Sequence, residues 1–276
     1  MEITLAHSPD SDDAFMFYGL ARGKVPTGEL TFSHVLCDIE TLNQEARVGR
    51  YDVTALSVHA YPYVAERYAL MTCGGSIGDG YGPILVARER LDPERLGDRV
   101  VAVPGTLTTA FLALRLARPQ LSWRVVPFER ILEVVARGDA DLGLVIHEGQ
   151  ITFAEQALFK VLDLGEWWRR ETGLPLPLGM NAVRRDLGAD LVGRVTGLVR
   201  QSILYGLTHR AEALKHALGF ARGMDPAVAD RFVGMWVNER TVDCGEDGRR
   251  AVRLLLDRGH ERGVIPAAVR VDFVEG

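Results

Sequence analysis

Two stretches of this 276-residue chain, Gly49-Arg50-Tyr51-Asp52-Val53 and Gly138-Asp139-Ala140-Asp141-Leu142, share one construction: a glycine stops a helix and an aspartate leads into a short apolar strand. Each closes a succession of strand, helix and strand. In the first half the strand Ile3-Ala6 passes through the turn Ser8-Asp13 into a helix burying Phe15, Met16 and Leu20. An extended stretch Leu30-Cys37, a helix Glu40-Val48 and a strand ending at Ser57 follow. From Arg99 the same grammar repeats as a strand Val100-Val103, a helix Thr106-Ala117, a strand Trp123-Val126, a helix Glu129-Arg137 and a strand Asp141-Ile146. Such alternation confines the chain to α/β architecture, because parallel neighbours need a crossover that is usually a helix.

The length suits two modest domains better than one small one. A linker over Glu89-Asp98 reads as the crossing into a second unit, and Pro175-Val183 as an extended return. Beyond Leu187 the pattern is helical, with breaks near Gly223, Gly245 and Gly263, and this tail is expected to pack on the first unit. The expected organisation is therefore α/β and two-lobed: residues 1–88 and 176–276 form lobe one with the helical tail, residues 89–175 form lobe two, and a ligand cleft lies between them. Two crossings between lobes are the hinge arrangement of periplasmic-binding-protein-like folds.

With 47% hydrophobic and 25% charged residues the composition is that of a packed globular protein. A net charge of −5 gives polyanions no general attraction, which argues against nucleic acid as a partner. Cys37, Cys73 and Cys244 are too far apart for a zinc cluster or a disulfide framework. The first residues lack the basic and apolar regions of a secretory signal, and no apolar run is long enough to span a membrane. A cytoplasmic location with no membrane partner is expected. A homodimer is compatible with this reading.

Ligands of open parallel sheets sit beyond the carboxyl ends of the strands. The turns Ser8-Asp13, Ser57-His59, Gly105-Thr109 and His147-Gln150 should therefore face one cleft. Gly105-Thr106-Leu107-Thr108-Thr109 precedes a helix and offers free N–H groups, hydroxyls and a favourable dipole to a carboxylate. The same residues also fit an N-cap threonine with a spare neighbour. His147 follows the hydrophobic run Leu142-Ile146 and carries an imidazole able to exchange protons near neutral pH. A capping or core-edge histidine fits the spacing equally well. Asp10, Asp12 and Asp13 suit the first turn of a helix better than a divalent cation. Gly74-Pro83, rich in glycine, reads as a cleft wall or a hinge, and Trp167-Trp168 as packing residues rather than a stacking platform. No pair of histidines has metal-ligand spacing, and no dinucleotide, P-loop or nucleophile-elbow motif occurs, so neither metal nor organic cofactor is expected.

Set in order, these segments resemble the 1,4-dihydroxy-6-naphthoate synthase family of the futalosine route to menaquinone, whose fold is periplasmic-binding-protein-like of type II. The resemblance runs through the Ser8-Pro9 turn with Phe15-Met16-Phe17, Val58-His59-Ala60-Tyr61, Gly105 with Thr108-Thr109-Ala110, Ile146-His147-Glu148-Gly149-Gln150, Gly165-Glu166-Trp167-Trp168 and Val237-Asn238-Glu239. It implies a lyase that converts cyclic dehypoxanthinyl futalosine, a small anionic carboxylate, to 1,4-dihydroxy-6-naphthoate and dihydroxyacetone without a cofactor. The family's general base maps onto His147 and its carboxylate-binding hydroxyls onto Ser57, Thr108 and Thr109. Gly105, Val58 and Asp12 join them as expected substrate contacts. One departure stands out: the turn expected to read Ser-Pro-Cys-Pro-Asn-Asp is Ser8-Pro9-Asp10-Ser11-Asp12-Asp13, and a carboxylate at Asp12 would repel an anion unless turned outward or paired. Chorismate dehydratase of the same route and a non-catalytic carboxylate-binding protein, cytosolic or exported, are the alternatives.

Overall fold

β1 (Glu2–His7) alternates apolar and polar residues only at its start and is buried at its end, as a central parallel strand must be. In the computed structural model, which describes residues 1–221 and 223–276, it leads into α1 (Ser11–Met16) and α2 (Tyr18–Ala21). β2 (Thr31–Leu36), α3 (Ile39–Ala46) and β3 (Val53–Ser57) follow, then a 3₁₀ turn at Val58–Tyr63, β4 (Tyr68–Met71) and β5 (Ser76–Gly78). The next run is β6 (Ile84–Ala87), β7 (Val100–Val103), α4 (Thr109–Ala117), β8 (Ser122–Val125), α5 (Ile131–Arg137), β9 (Leu142–Val145), α6 (Gly149–Thr152), β10 (Phe159–Asp163) and α7 (Leu164–Thr172). β11 (Leu176–Arg184) returns the chain to α8 (Ala189–Thr208), α9 (Arg210–Ala217), α10 (Pro226–Trp236), α11 (Glu239–Val242), α12 (Gly245–Glu261) and β12 (Phe273–Val274).

The strands form two sheets. The first has the order β12-β4-β11-β3-β1-β2, with β5 also on β11, and the second β10-β6-β9-β7-β8. β1, β2 and β3 are parallel, as are β8, β7 and β9, while β11 and β6 run antiparallel to their neighbours. Each half is thus a parallel core extended by reversed strands.

β6 lies in the second sheet, paired with β9 and β10, although a boundary after residue 88 assigned it to lobe one. The sheets change hands within residues 79–83. A four-residue apolar run carries no periodicity that tells which sheet it joins, and only its hydrogen-bond partners decide. β4, β5, β10 and β12 are likewise defined by their pairing with other strands rather than by a local pattern.

The tail also does more than cover lobe one. α8 does so: Ser202 Oγ donates to Met16 O at 3.0 Å and accepts from Leu20 N at 3.1 Å, fixing the break between α1 and α2. α12 instead reaches both lobes, with Leu255 and Leu256 in one core cluster with Leu56 and Tyr61 of the first lobe and Leu112 of the second. Gly259 permits this approach, because a Cβ there would lie 2.6 Å from the Ile265 side chain and 3.0 Å from Leu112 on α4.

Candidate active site

The carboxyl ends of β1, β3, β7 and β9 converge on a cavity of about 110 Å³, many times the ~10–15 Å³ that admits one water. Asp12, Ser57, Thr108, Thr109 and His147 all line it. Val58 and Gly105 do not. Val58 is fully buried in the core behind Ser57. Gly105 faces Glu40 of α3: a Cβ there would lie 2.2 Å from Glu40 Oε2, which accepts a hydrogen bond from Leu107 N at 3.1 Å. Its lack of a side chain admits a contact between lobes rather than a ligand.

On the first lobe Ser57 is held by Asn43, a fully buried residue of α3. Ser57 N donates to Asn43 Oδ1 at 2.9 Å, and Asn43 Nδ2 donates to Ser57 Oγ at 3.0 Å. Because Oγ is used as an acceptor, the hydroxyl proton remains for a ligand. Asn43 was legible only as a polar residue between apolar Leu42 and Ala46 on one helix face.

On the second lobe Thr108 is the N-cap of α4, its Oγ1 accepting from Phe111 N at 3.2 Å and donating to Gly105 O at 3.0 Å. Thr109 Oγ1 donates to Leu178 O of β11 at 2.5 Å and accepts from His59 N at 3.1 Å. Both hydroxyl protons are therefore committed to the backbone. What this turn offers an anion is the first N–H groups of α4, those of Thr109 and Ala110, which no earlier carbonyl of the helix satisfies.

Three histidines stand at strand ends, and their surroundings separate them. His7 and His59 are buried, and burial pushes each down to about 4, so both are neutral. His147 sits two residues beyond β9 with φ 54°, a left-handed conformation shared by no other described non-glycine residue except Ala157. Such a backbone costs ~1–3 kcal/mol and must be held by its surroundings. Here it aims the ring at Asp10: Nδ1 lies 2.9 Å from Asp10 Oδ2, while Nε2 has no protein hydrogen-bond partner. Burial opposes a charge on the ring, but the attraction and hydrogen bond of Asp10, aided by Glu148, outweigh it and hold the pKa at about 9.

Asp10 is 1% exposed and occupies the N-cap position of α1, yet its side chain caps nothing there. Rather than acting as a helix-start acid, it serves the facing lobe through His147. Asp13 does support its own turn, Oδ2 accepting from Ser8 N at 2.8 Å, and burial with the charge of Asp10 pushes it up to about 7. Asp12 is neither turned outward nor paired through Oδ1: it is 8% exposed, on the cavity wall, and that oxygen has no partner. Burial, then Asp13 and Asp10, raise its pKa well above the usual carboxyl range.

The remaining walls come from elements whose local sequence carries no site signal. Phe232 and Trp236 of α10 and Met180 and Asn181 of β11 line the cavity. Gly74, Ser76 and Pro83 do so from the glycine-rich stretch, and a Cβ on Gly74 would lie 1.9 Å from Asn181 Nδ2. Trp168 lies in the core instead, its Nε1 donating to Pro175 O at 3.0 Å. Among the described residues no cluster of three or more His, Cys, Asp or Glu side chains is arranged to hold a metal ion, and no helix is long and apolar enough to cross a membrane.

Two α/β lobes joined by double crossings, with a helix N-terminus and a carboxylate-paired histidine in the cleft, define a periplasmic-binding-protein-like fold carrying an acid–base group. A Candida albicans protein described as having the generic periplasmic binding protein fold superimposes with a TM-score of 0.67 at 12% identity, covering 100% of this chain and 98% of that one. The menaquinone biosynthesis family matches residues 3–261, and the chain belongs to it. A relative from Thermus thermophilus named 1,4-dihydroxy-6-naphtoate synthase is 40% identical over 272 residues, 99% of each chain. A crystal structure of an Archaeoglobus fulgidus protein matches with a TM-score of 0.92 at 43% identity, covering 96% of this chain and 98% of that one.

Proposed function

We propose that this chain is a cytoplasmic carbon–carbon lyase that converts cyclic dehypoxanthinyl futalosine to 1,4-dihydroxy-6-naphthoate and dihydroxyacetone. The observation that carries the reading is His147, which lines the cavity, is paired through Nδ1 with Asp10 and keeps a buried Nε2 without a protein partner. A relative matched over 99% of its length and named 1,4-dihydroxy-6-naphtoate synthase supports the product.

In this reading the substrate carboxylate lies between the Ser57 hydroxyl and the first N–H groups of α4, drawn by hydrogen bonds and the helix dipole. The rings fill the apolar remainder of the cavity against Phe232 and Trp236. His147 Nε2 removes the proton that starts fragmentation, and Asp10 stabilises the imidazolium so formed. Only the neutral ring is a base, so with a pKa of about 9 the working form is a minority at neutral pH and kcat/KM rises towards alkaline pH. Formation of an aromatic product supplies the driving force.

The test incubates the protein and a His147→Ala variant separately with cyclic dehypoxanthinyl futalosine and with chorismate. Naphthoate release by the parent, lowered ~10²–10⁴-fold in the variant while substrate still binds, is the expected result. Dehydration of chorismate, or binding of the futalosine without turnover, would overturn the assignment in favour of a sister dehydratase or a carrier.

A further inference from the structure

Asp12 is used by nothing described so far. It lies on the cavity wall, 8% exposed, with Oδ1 buried and lacking any hydrogen-bond partner. Buried carboxyl oxygens that find no partner in the protein are a strong sign of an absent one, because leaving them unsatisfied costs free energy.

The charges around it fix its form. From its own turn Asp10 and Asp13 face it, and from the loop after β9 His147 and Glu148 do. The one cation of that set, the His147 ring, is engaged by Asp10 at 2.9 Å. Asp13 already draws on Ser8 N. Of the helices packed on α1, α9 brings Arg210, which is held by Asp230 of α10 at 2.6 Å and lies over the Phe15 ring. A carboxylate at Asp12 would therefore add a further negative charge to a buried acidic group whose single cation is taken. A neutral acid avoids that repulsion and carries a proton to donate.

We propose that Asp12 works as a neutral carboxylic acid that donates a hydrogen bond to a hydroxyl or carbonyl oxygen of the substrate, at the end held beside His147 and away from the carboxylate site. This rests on the substrate reading above. It also removes the conflict between an acidic cleft and an anionic substrate, because the residue in contact is uncharged when the ligand arrives. The dependence on pH has a definite sign. Burial and the neighbouring Asp13 and Asp10 carboxylates favour the protonated donor, and binding weakens as pH climbs through the raised pKa, when the group becomes an anion.

The test compares the parent with Asp12→Asn and Asp12→Ala. Infrared difference spectra of carboxyl-labelled protein, parent minus Asp12→Asn, should contain a protonated-carboxyl C=O band at pH 7 that is lost in alkaline buffer. A carboxylate band alone at pH 7 overturns the proposal, whether or not the protein turns over any substrate. With naphthoate release as the readout, Asp12→Ala should lower kcat/KM about tenfold at neutral pH. Asp12→Asn, which still donates, should recover part of that loss and rise more steeply than the parent towards alkaline pH, so that the ratio of Asn variant to parent rises with pH. Superimposable profiles for parent and Asn variant, or full activity in the Ala variant, overturn the proposal. Failure of the parent to release naphthoate defeats the substrate assignment instead, and the infrared band then decides the charge of Asp12 by itself.

Discussion

Replacing Asp10 with asparagine removes one negative charge from a buried contact and leaves an oxygen able to accept from His147 Nδ1. In the parent that contact is 2.9 Å, with Asp10 1% exposed. Unit charges about 4 Å apart in an effective dielectric of about 20 attract by ~4 kcal/mol, and one pKa unit corresponds to ~1.36 kcal/mol. Asp10→Asn should therefore lower the His147 pKa by roughly three units, from about 9 to below the ordinary 6.5. Burial, the largest influence on the ring, acts in that direction once the charge is gone. NMR titration of ¹⁵N-histidine-labelled protein, with His147→Ala to assign the signal, reads the shift directly. Because the folded-state pKa is raised, the pair stabilises the protein fully below pH 6.5 and the contribution, roughly 3 kcal/mol, is lost as pH rises through about 9. The variant should lack that alkaline loss in urea unfolding. In kinetics, its rise of kcat/KM with pH should move acidwards while the plateau falls at least about tenfold, because asparagine stabilises the imidazolium poorly. A His147 titration that stays near 9 in the variant would refute the reasoning.

Two further substitutions probe the carboxylate end and the contact between lobes. Ser57→Ala should raise KM about tenfold or more by removing a hydrogen bond to a charged group, with little change in kcat; steady-state kinetics decide, and an unchanged KM moves the carboxylate elsewhere. Gly105→Ala should destabilise by ~1–3 kcal/mol as the new methyl displaces Glu40 from Leu107 N. In a Glu40→Ala background the same change should cost less than ~0.5 kcal/mol, a coupling that urea unfolding of the four proteins in the cycle measures.

Much of the framework was legible because helix stops and apolar runs are local. The glycine and aspartate pairs at Gly49-Asp52 and Gly138-Asp141 located β3 and β9, and through them the strand ends that carry Ser57 and His147. The α/β class, the two parallel cores and the placing of the Ser8, Gly105 and His147 turns around one cleft follow from the same signals. Family blocks then singled out His147 from His7 and His59, which occupy comparable positions in the chain.

Other features depend on which surfaces meet across the fold, and no local pattern reports that. β6 has the composition of a strand in either sheet and belongs to the second because β9 and β10 flank it. The hydroxyls of Thr108 and Thr109 look free in sequence, but each is claimed by a carbonyl, Gly105 O within the turn and Leu178 O from the other lobe. Asp10 and Asp12 are two residues apart and chemically identical. Folding brings a histidine to one and an unfilled cavity wall to the other, so that the first is a charged partner and the second a buried acid. By itself the sequence determined where strands end and which side chains stand there, since backbone geometry is set by neighbours in the chain. Only the tertiary structure decided what charge and hydrogen-bonding role each of those side chains carries, since burial and long-range partners set the free energy of every ionisable and polar group.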